Sequence, residues 1–258
     1  MAKKPRRERS PDGESGQEAS SPPADDGGED REPRPSLLAE WVRSLVVAAV
    51  LFLILRTFLV QTFVITSGSM EESLLVGDML VVNRLALGSR VPFTNLRIPG
   101  YSAPERGDII VFDPAHEDDM MLVKRLIGLP GDTVAMVDRV LFLNGVRQSE
   151  PYVRHVDPRD QTDPRMAWQR SYLAPGVDPL TYAPTRDNWG PIVIPEGRYF
   201  MLGDNRDTSL DSRYWGLPER WRLEGRAMFI YYSYNKDSYR PFAFFREVRW
   251  SRVLNPIL

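Results

Sequence analysis

Two side chains in this sequence have the types needed for a nucleophile and its base. Ser69 stands in the turn Ser67-Gly68-Ser69-Met70, where an apolar segment ends and a polar, strand-rich body begins. A serine hydroxyl attacks efficiently only when a neighbouring base takes its proton, and histidine is the usual base. The chain has only His116 and His155, and neither lies in a setting that suggests this role.

Lys124 is the other candidate base. Alternation in a strand would turn Leu122, Lys124 and Leu126 to one face, and an amine on an apolar face is desolvated, which lowers its pKa. At an unperturbed pKa of ~10.4 about one lysine in 2,500 is neutral at pH 7, whereas at a pKa of ~8 about one in ten is neutral. Arg125 would face the opposite way, and arginine keeps its proton.

The residue pattern alone leaves a second interpretation open. Lys124 could reach water from a strand edge, with Ser69 as an ordinary turn residue. Ser233-Tyr-Asn-Lys236 also fits the pattern Ser-x-x-Lys, which belongs at a helix start in penicillin-recognising enzymes. Here it follows an aromatic strand and lacks the partner motifs, so we set it aside.

The composition of the chain argues against several classes of function. The 258-residue chain is long enough for one large domain or two small ones. Its formal charge of −2 does not favour nucleic acid, which binds basic surfaces. The absence of cysteine excludes disulfides, thiolate metal sites and a cysteine nucleophile. There is no His-Glu-x-x-His motif, and we expect neither a metal nor another cofactor.

The N-terminal part of the chain predicts a tail and a membrane anchor. Residues 1–36 are rich in Pro, Gly, Ser and charge and are predicted to be a disordered cytoplasmic tail. Residues 37–60 contain an apolar run with Trp41 near one end and Arg56 near the other. This predicts a transmembrane helix of the ~20 residues that a bilayer requires. A buried core helix is the alternative, and a cleaved signal peptide is disfavoured because the run begins late.

Basic residues beside the apolar run indicate its orientation. Arg31, Arg34 and Arg43 lie on the N-terminal side, and such residues favour the cytoplasmic face. The chain would therefore cross the membrane once, with a cytoplasmic N-terminus. Residues 61–258 would form an extracytoplasmic domain.

Short apolar runs with close turns and little helical periodicity predict a mostly β body. Asn144-Gly145, for example, is a strong hairpin signal between two such runs. Residues 146–195 are predicted to be an inserted loop or small subdomain, because 151–190 carry many Pro, Asp and Arg and show no clear period. We find no chemistry there, and we interpret His155 as a surface residue.

Four sequence blocks stand in the order seen in one enzyme family. They are Ser67-Gly-Ser-Met70, Arg106-Gly-Asp-Ile-Ile-Val-Phe112, Lys124-Arg-Leu-Ile-Gly-Leu-Pro-Gly-Asp132 and Gly203-Asp-Asn-Arg-Asp-Thr-Ser-Leu-Asp-Ser-Arg-Tyr-Trp-Gly216. Over residues 40–145 and 191–235 the chain resembles bacterial type I signal peptidases, the leader peptidase family. The resemblance implies a mostly β fold with a catalytic core, a smaller inserted subdomain and one N-terminal transmembrane helix.

The same resemblance implies a serine endopeptidase with a Ser–Lys dyad. Ser69 would be the nucleophile and Lys124 the general base. Ser67 would donate its hydroxyl to the oxyanion together with the Ser69 backbone N–H, and such preorganised donors are typically worth about 3–4 kcal/mol of barrier. Ser209 matches a serine that orients the lysine amine.

Charged residues in the last block would support the site. Asp211 and Arg213 match an ion pair that braces one wall. A plain surface pair, worth about 0–1 kcal/mol, is the alternative interpretation. Asp204 and Arg206 are interpreted as loop structure.

The implied substrates are secretory preproteins, cut after an Ala-x-Ala-like segment that ends the signal peptide. An extended substrate would add as a strand beside the Ser69 and Lys124 segments. The candidates for shallow pockets that admit only small side chains are Phe63, Ile65, Met70, Leu74 and Val123. The enzyme would lie in the cytoplasmic (inner) membrane, in contact with lipid and in the vicinity of the secretion translocon.

Three positions depart from the family pattern. Glu72 and Ser73 stand where relatives usually have Pro and Thr, so we expect a looser turn after the nucleophile, with the carboxylates of Glu71 and Glu72 close by. Leu122 stands where relatives commonly have an aromatic residue.

Two other functions stay open at this point. One is a specialised relative that processes a single dedicated substrate, such as a conjugation or pilus precursor. The other is a catalytically silent, membrane-tethered β-domain that serves as a binding or assembly module.

Overall fold

The structure, a computed structural model, describes residues 37–54, 60–90, 96–114 and 120–257. The predicted cytoplasmic tail, residues 1–36, lies outside this part of the chain. Contacts between residues divide the chain after Leu45, and the second unit, which begins at Val46, contains every strand described.

The first helix, α1, spans Leu37–Ile54. Eleven of its large apolar side chains are exposed, and they are Leu37, Leu38, Trp41, Val42, Leu45, Val46, Val47, Val50, Leu51, Phe52 and Leu53. Among the described residues, no helix has both the length and the apolar character needed to cross a membrane. The predicted transmembrane span of residues 37–60 also includes 55–59, which lie outside the described residues.

Short strands make up most of the regular structure in the second unit. The strands are β1 (Val60–Val64), β2 (Asp78–Asn83), β3 (Gly88–Arg90), β4 (Arg97–Pro99), β5 (Ile109–Phe112), β6 (Leu122–Gly128), β7 (Thr133–Val137), β8 (Val140–Leu143), β9 (Val146–Arg147), β10 (Trp189–Val193), β11 (Phe200–Leu202) and β12 (Leu223–Ser233). The helices that follow α1 are α2 (Arg84–Leu87), α3 (Ser212–Trp215) and α4 (Ala243–Arg246). The prediction of a mostly β fold is confirmed.

Two sheets organise these strands. The larger sheet has the spatial order β1-β2-β12-β5-β6-β11, and all of its neighbouring strands run antiparallel. The smaller sheet has the order β10-β7-β8-β9. The strands β3 and β4 form a separate hairpin.

The larger sheet has an apolar core on each face, and β5 contributes to both. Ile109 and Val111 pack in a cluster with Leu80 of β2, while Ile110 lies in a second cluster with Leu126 of β6. All four residues of β5 are buried, as expected of a continuous apolar run in the middle of a sheet. β6 pairs directly with β5. The central residues of β6 therefore lie between the same two apolar clusters.

Residues 146–195, predicted to be an insertion, contribute two of the four strands in the smaller sheet. β9 pairs with β8, and β10 pairs with β7. Between them lies a 3-10 helix, Pro164–Tyr172. This range is therefore joined to the body by strand pairing at both of its ends.

Candidate active site

Ser69 lies in a 3-10 turn, Gly68–Met70, which follows β1. Asn205 holds this turn from the opposite wall of the site. Its backbone N–H donates to the Ser69 carbonyl at 3.1 Å, and its side-chain amide donates to the Gly68 carbonyl at 3.3 Å. Ser69 is buried except for 9% of its surface, so its hydroxyl is held at a defined place.

Lys124 comes from the middle of β6, where its backbone pairs with Ile110 of β5. Its Nζ lies 2.7 Å from Ser69 Oγ and 3.2 Å from the Val123 carbonyl oxygen. Only 3% of the residue is exposed. The two side chains that the sequence singles out for chemistry are thus in hydrogen-bond contact, although 55 residues separate them.

Burial lowers the pKa of the Lys124 amine to about 8. Desolvation is the main cause, because the charged form loses its hydration. Arg213 lowers this pKa further, whereas the carboxylates of Asp211 and Asp204 raise it and so oppose the effect of burial. An amine with this pKa is neutral in about one molecule in ten at pH 7, which suits a general base.

Ser67 lies at the mouth of the site, and its Oγ is 3.4 Å from Ser69 Oγ. Its side chain is exposed, unlike that of Ser69. A hydroxyl at this distance is at the weak end of the hydrogen-bond range, and it can reorient towards a negative oxygen formed next to Ser69. The geometry is compatible with the oxyanion role that the sequence predicts.

Ser209 is buried, and its Oγ has no hydrogen-bond partner within the described part of the chain. The hydroxyl packs against Gly203, where an added Cβ would lie 2.1 Å from Ser209 Oγ and 2.5 Å from the Ser69 carbonyl oxygen. Glycine at 203 therefore lets the Ser69 and Ser209 segments meet. The role of Ser209 in orienting Lys124 stays a prediction.

Asp211 and Arg213 form an ion pair with a separation of 2.8 Å, and both side chains are fully buried (0% exposed). Asp211 also accepts a hydrogen bond from the Gly203 N–H at 3.1 Å, and Arg213 donates to the Arg206 carbonyl. The alternative of a plain surface pair does not apply here. Removal of one partner from a buried pair typically costs about 3–5 kcal/mol, so this pair holds the 203–213 loop in shape.

Arg125 and Asp204 form a second buried pair that the sequence did not reveal. Arg125 Nε and Nη2 lie 2.9 Å and 2.8 Å from the two Asp204 carboxylate oxygens. The Ser73 hydroxyl donates to the same carboxylate at 2.5 Å. Arg125 points away from Lys124, as strand alternation predicts, and the interpretation of Asp204 as simple loop structure is too narrow. The pair joins β6 to both the 203–213 loop and the residues after Ser69.

Glu71 and Glu72, the two carboxylates after Ser69, differ in their environments. Glu71 lies 3.2 Å from Arg154, and its other oxygen lies 3.4 Å from the Asn205 amide. Glu72 is exposed and has a φ of +104°, a region that disfavours residues with a side chain. Proline, whose φ is close to −65°, could not adopt this backbone. The backbone of this chain at position 72 is therefore one that proline would not allow.

Residues 150–157 cross the 203–213 loop, and sequence patterns did not indicate this contact. Glu150 forms an ion pair with Arg206 at 2.5 Å. His155, which was interpreted as a surface residue, is partly exposed and lies 3.0 Å from the Asp207 carboxylate. Each of these contacts depends on a single charged residue. Residues 150–157 have no repeating hydrophobic pattern, so the sequence could not predict which of their side chains contact the loop.

A groove of about 390 Å³ opens beside Ser69 and Lys124. It is lined by Val64, Ile65, Thr66, Ser67, Ser69, Met70, Met120, Met121, Leu122, Val123, Lys124, Thr208 and Leu210. Of the predicted pocket residues, Ile65, Met70 and Val123 line the groove. Phe63 packs against the apolar core, and Leu74 is completely buried within it, so neither forms part of the groove wall.

Within the described residues, no group of three or more His, Asp or Glu side chains is placed to hold a metal ion. The arrangement can perform a reaction that needs a hydroxyl nucleophile, a neutral amine and nearby hydrogen-bond donors. Attack on a carbonyl carbon is such a reaction.

Comparison with known proteins identifies the family of the chain. The sequence model of the family described as signal peptidase, peptidase S26, matches residues 38–232. Signal peptidase I of Bacillus licheniformis is 36% identical over 200 residues, which cover 77% of this chain and 91% of that protein. Signal peptidase I S of Bacillus subtilis is 35% identical over 200 residues, with the same coverage of 77% and 91%.

Two further matches extend the comparison. Signal peptidase I of Pseudomonas aeruginosa is 36% identical over 188 residues, which cover 71% of this chain and 65% of that protein. A solved structure of a signal peptidase I from Enterococcus faecalis is 36% identical and covers 48% of this chain and 97% of that one, with a TM-score of 0.33. The family match and the Bacillus relatives confirm the resemblance drawn from the four sequence blocks: the chain belongs to the signal peptidase family, peptidase S26, and is a serine peptidase of the signal peptidase I type.

Proposed function

We propose that the protein is a membrane-bound endopeptidase that removes N-terminal signal peptides from secreted preproteins after an Ala-x-Ala-like site. Ser69 is the nucleophile and Lys124 is the general base. The observation that carries this proposal is the 2.7 Å contact between Ser69 Oγ and Lys124 Nζ. The contact is made by an amine whose pKa is lowered by burial to about 8.

The reaction follows from this contact. The neutral Lys124 amine accepts the Ser69 proton while Ser69 Oγ attacks the carbonyl carbon of the scissile bond. The Ser69 N–H and the Ser67 hydroxyl stabilise the oxyanion, and Ser209 orients the amine. The Lys124 ammonium then protonates the departing amide nitrogen, so that the C–N bond breaks and an acyl-enzyme remains. Water, deprotonated by Lys124, hydrolyses this ester and releases the signal peptide.

Two strand edges beside the groove support an extended mode of substrate binding. Ile65 donates its N–H to Asp78 on the β2 side, so the neighbouring Val64 and Thr66 direct their backbone groups the other way, towards the groove. On the other wall, β11 pairs with β6 only from Arg125 onward within the described residues. The edge of Leu122–Lys124 that faces away from β5 is therefore open. A peptide that adds between these edges gains backbone hydrogen bonds whatever its sequence.

The exposed apolar surface of α1 supports attachment to the cytoplasmic membrane. Eleven of its large apolar side chains are 49–77% exposed, and a large exposed apolar surface is typical of a membrane or protein interaction site. We infer that α1 attaches the chain to this membrane, with the N-terminus in the cytoplasm. The catalytic unit would then lie on the outer face, close to membrane lipid and to the translocon from which preproteins emerge.

The substrate proposal predicts a strong preference for a small residue before the cut. With the full chain in detergent, we expect a preprotein whose signal peptide ends in Ala-x-Ala to be cut once, after the second Ala. Replacement of that Ala by Phe is expected to slow cleavage by about a hundredfold, because Ile65, Met70 and Val123 line a shallow groove. The assay is N-terminal sequencing of the product together with initial rates.

A matched substrate with Phe at the middle position of Ala-x-Ala serves as the control and should be cut at nearly the normal rate. Equal cleavage of all three substrates, or cuts at several bonds, would contradict the proposed specificity. Failure of folded protein to cut any of them would contradict the substrate class.

The pKa of Lys124 predicts the pH dependence of the reaction. Because the neutral amine is the base, kcat/KM should rise about tenfold per pH unit up to pH 8 and level off above it. A lysine with an ordinary pKa would give a rise that continues to pH ~10.4. Rates measured from pH 5 to 10.5 on a substrate without ionisable groups near the cut would test this. A midpoint near 6.5 would point to a histidine instead, and a midpoint above 10 to a hydrated lysine.

A further inference from the structure

The C-terminal segment packs against the chain that follows the nucleophile, although the family's sequence match ends at residue 232. Backbone hydrogen bonds fix this segment to β12: the Arg249 N–H donates to the Ser233 carbonyl at 2.9 Å, and the Leu254 N–H donates to the Ile230 carbonyl at 2.7 Å. Between these two bonds lies a short 3-10 turn, Trp250–Arg252. The turn is therefore held in one place on the body.

Arg252 in this turn joins two points of the segment 73–78. Its Nη2 lies 2.7 Å from the Asp78 carboxylate and donates to the Ser73 carbonyl at 2.8 Å. Its Nε lies 3.3 Å and 3.2 Å from the two Asp78 oxygens. Asp78 is fully buried (0% exposed) and also accepts hydrogen bonds from the Ser233 hydroxyl at 2.6 Å and the Leu75 N–H at 2.8 Å.

Ser73 connects the contacts of Arg252 to both members of the dyad. It lies four residues after Ser69, in the same turn region. Its hydroxyl donates to Asp204 at 2.5 Å and accepts from Arg125 at 3.1 Å. Arg125 directly follows Lys124 in β6. A shift of Ser73 would therefore change the position of the Ser69 turn relative to the strand that carries the base.

We propose that Arg252 is a positioning residue for the peptidase reaction, which it serves by holding Ser73 and Asp78 together so that Ser69 stays in place beside Lys124. The inference rests on the mechanism proposed above. Arg252 is not among the residues that line the groove, so its effect passes through Ser73. Arginine suits this task because its Nε holds the Asp78 carboxylate while Nη2 reaches both that carboxylate and the Ser73 carbonyl. A lysine has no counterpart of Nε, and its Nζ lies one bond closer to the backbone than Nη2.

The test compares the full wild-type chain in detergent with Arg252→Lys. The lysine keeps a positive charge for the buried Asp78, so the thermal midpoint should fall by only a few degrees. It lacks Nε and ends one bond short of Nη2, so it cannot hold Asp78 and the Ser73 carbonyl in the same geometry. We therefore expect kcat to fall about ten- to a hundredfold, with KM within about twofold of wild type. The midpoint of the pH profile should stay near 8, because the surroundings of Lys124 do not change. The matched control is Arg246→Lys, an exposed position in the same segment.

Several outcomes would overturn the proposal. A wild-type kcat in Arg252→Lys would show that the ion pair with Asp78 is sufficient and that its role is structural. A pH midpoint that moves towards 10 would indicate general loosening that lets water reach Lys124.

A second variant covers the case in which Arg252→Lys does not fold. Arg252→Ala is assayed with added methylguanidinium, and a saturable rise in kcat supports positioning, whereas no rise overturns it. Failure of the wild-type chain itself to cut any preprotein would instead overturn the proposed function, and with it this inference.

Discussion

Replacement of Ser69 by alanine is expected to abolish cleavage of preproteins and to lower kcat/KM by at least about 10⁴-fold. The reason is geometric, because the hydroxyl that is lost is the one that lies 2.7 Å from the buried Lys124 amine. The neighbouring Ser67 hydroxyl is exposed and lies 3.4 Å from Ser69 Oγ. The measurement is the initial rate of product formation with the full chain in detergent.

Ser149→Ala provides the matched control, because this serine is exposed and lies outside the groove. Both variants should keep the thermal midpoint of the wild type, so that loss of activity is separated from loss of folding. Cleavage by Ser69→Ala within about tenfold of wild type would rule out Ser69 as the nucleophile. Since the chain has no cysteine, Ser69→Cys would also introduce a unique thiol, and labelling with a maleimide would report on access to the site.

Strand alternation could place Lys124 on an apolar face, whereas the pairing of Lys124 with Ser69 was predicted from the resemblance to the signal peptidase family. Lys124 stands between Leu122 and Leu126, and those two apolar residues do pack in one cluster. Arg125 faces the opposite way and binds Asp204. Period-2 patterns of this kind are local, so they survive in a single sequence without any knowledge of the fold. The desolvation of the amine follows from the same pattern.

The supporting network could not be predicted in the same way. Arg125 and Asp204 are 79 residues apart, and their contact depends on the position of β11 beside β6 and of the 203–213 loop beyond it. Nothing local distinguishes Asp204 from the other acidic residues in its block. The unexpected burial of Leu74 has a similar origin: it follows a 3-10 turn, where strand alternation no longer tells which side chains face the groove.

The contacts of residues 150–157 show a further limit of sequence patterns. Arg154 forms an ion pair with Glu71, close to Ser69, while Glu150 and His155 each contact a charged residue of the 203–213 loop. Such contacts arise one residue at a time, in a stretch rich in Pro, Asp and Arg. Low hydrophobicity there predicted a loop without chemistry, yet the stretch braces the loop that holds Ser209.

Lys124→Met is expected to abolish cleavage as completely as Ser69→Ala, while making the fold more stable. Methionine has a similar length but cannot accept a proton, so Ser69 loses its base. Burial that lowers a lysine pKa to about 8 also means that the charged amine destabilises the fold, and its replacement should raise the free energy of unfolding by about 2 kcal/mol at pH 7. Denaturant unfolding of both proteins measures this difference.

The pH dependence of that difference separates the role of Lys124 as a base from a purely structural role. Below pH 8 the lysine is protonated in both the folded and the unfolded chain, so the cost of burying its charge is present in full. Between pH 8 and about 10.5 the folded protein releases the proton first, and the advantage of methionine should shrink to nearly nothing. Lys124→Arg, which keeps the charge at every pH, should be inactive and less stable throughout. Substantial cleavage by either variant, or a constant stability difference up to pH 10.5, would show that Lys124 is not a buried base with a lowered pKa.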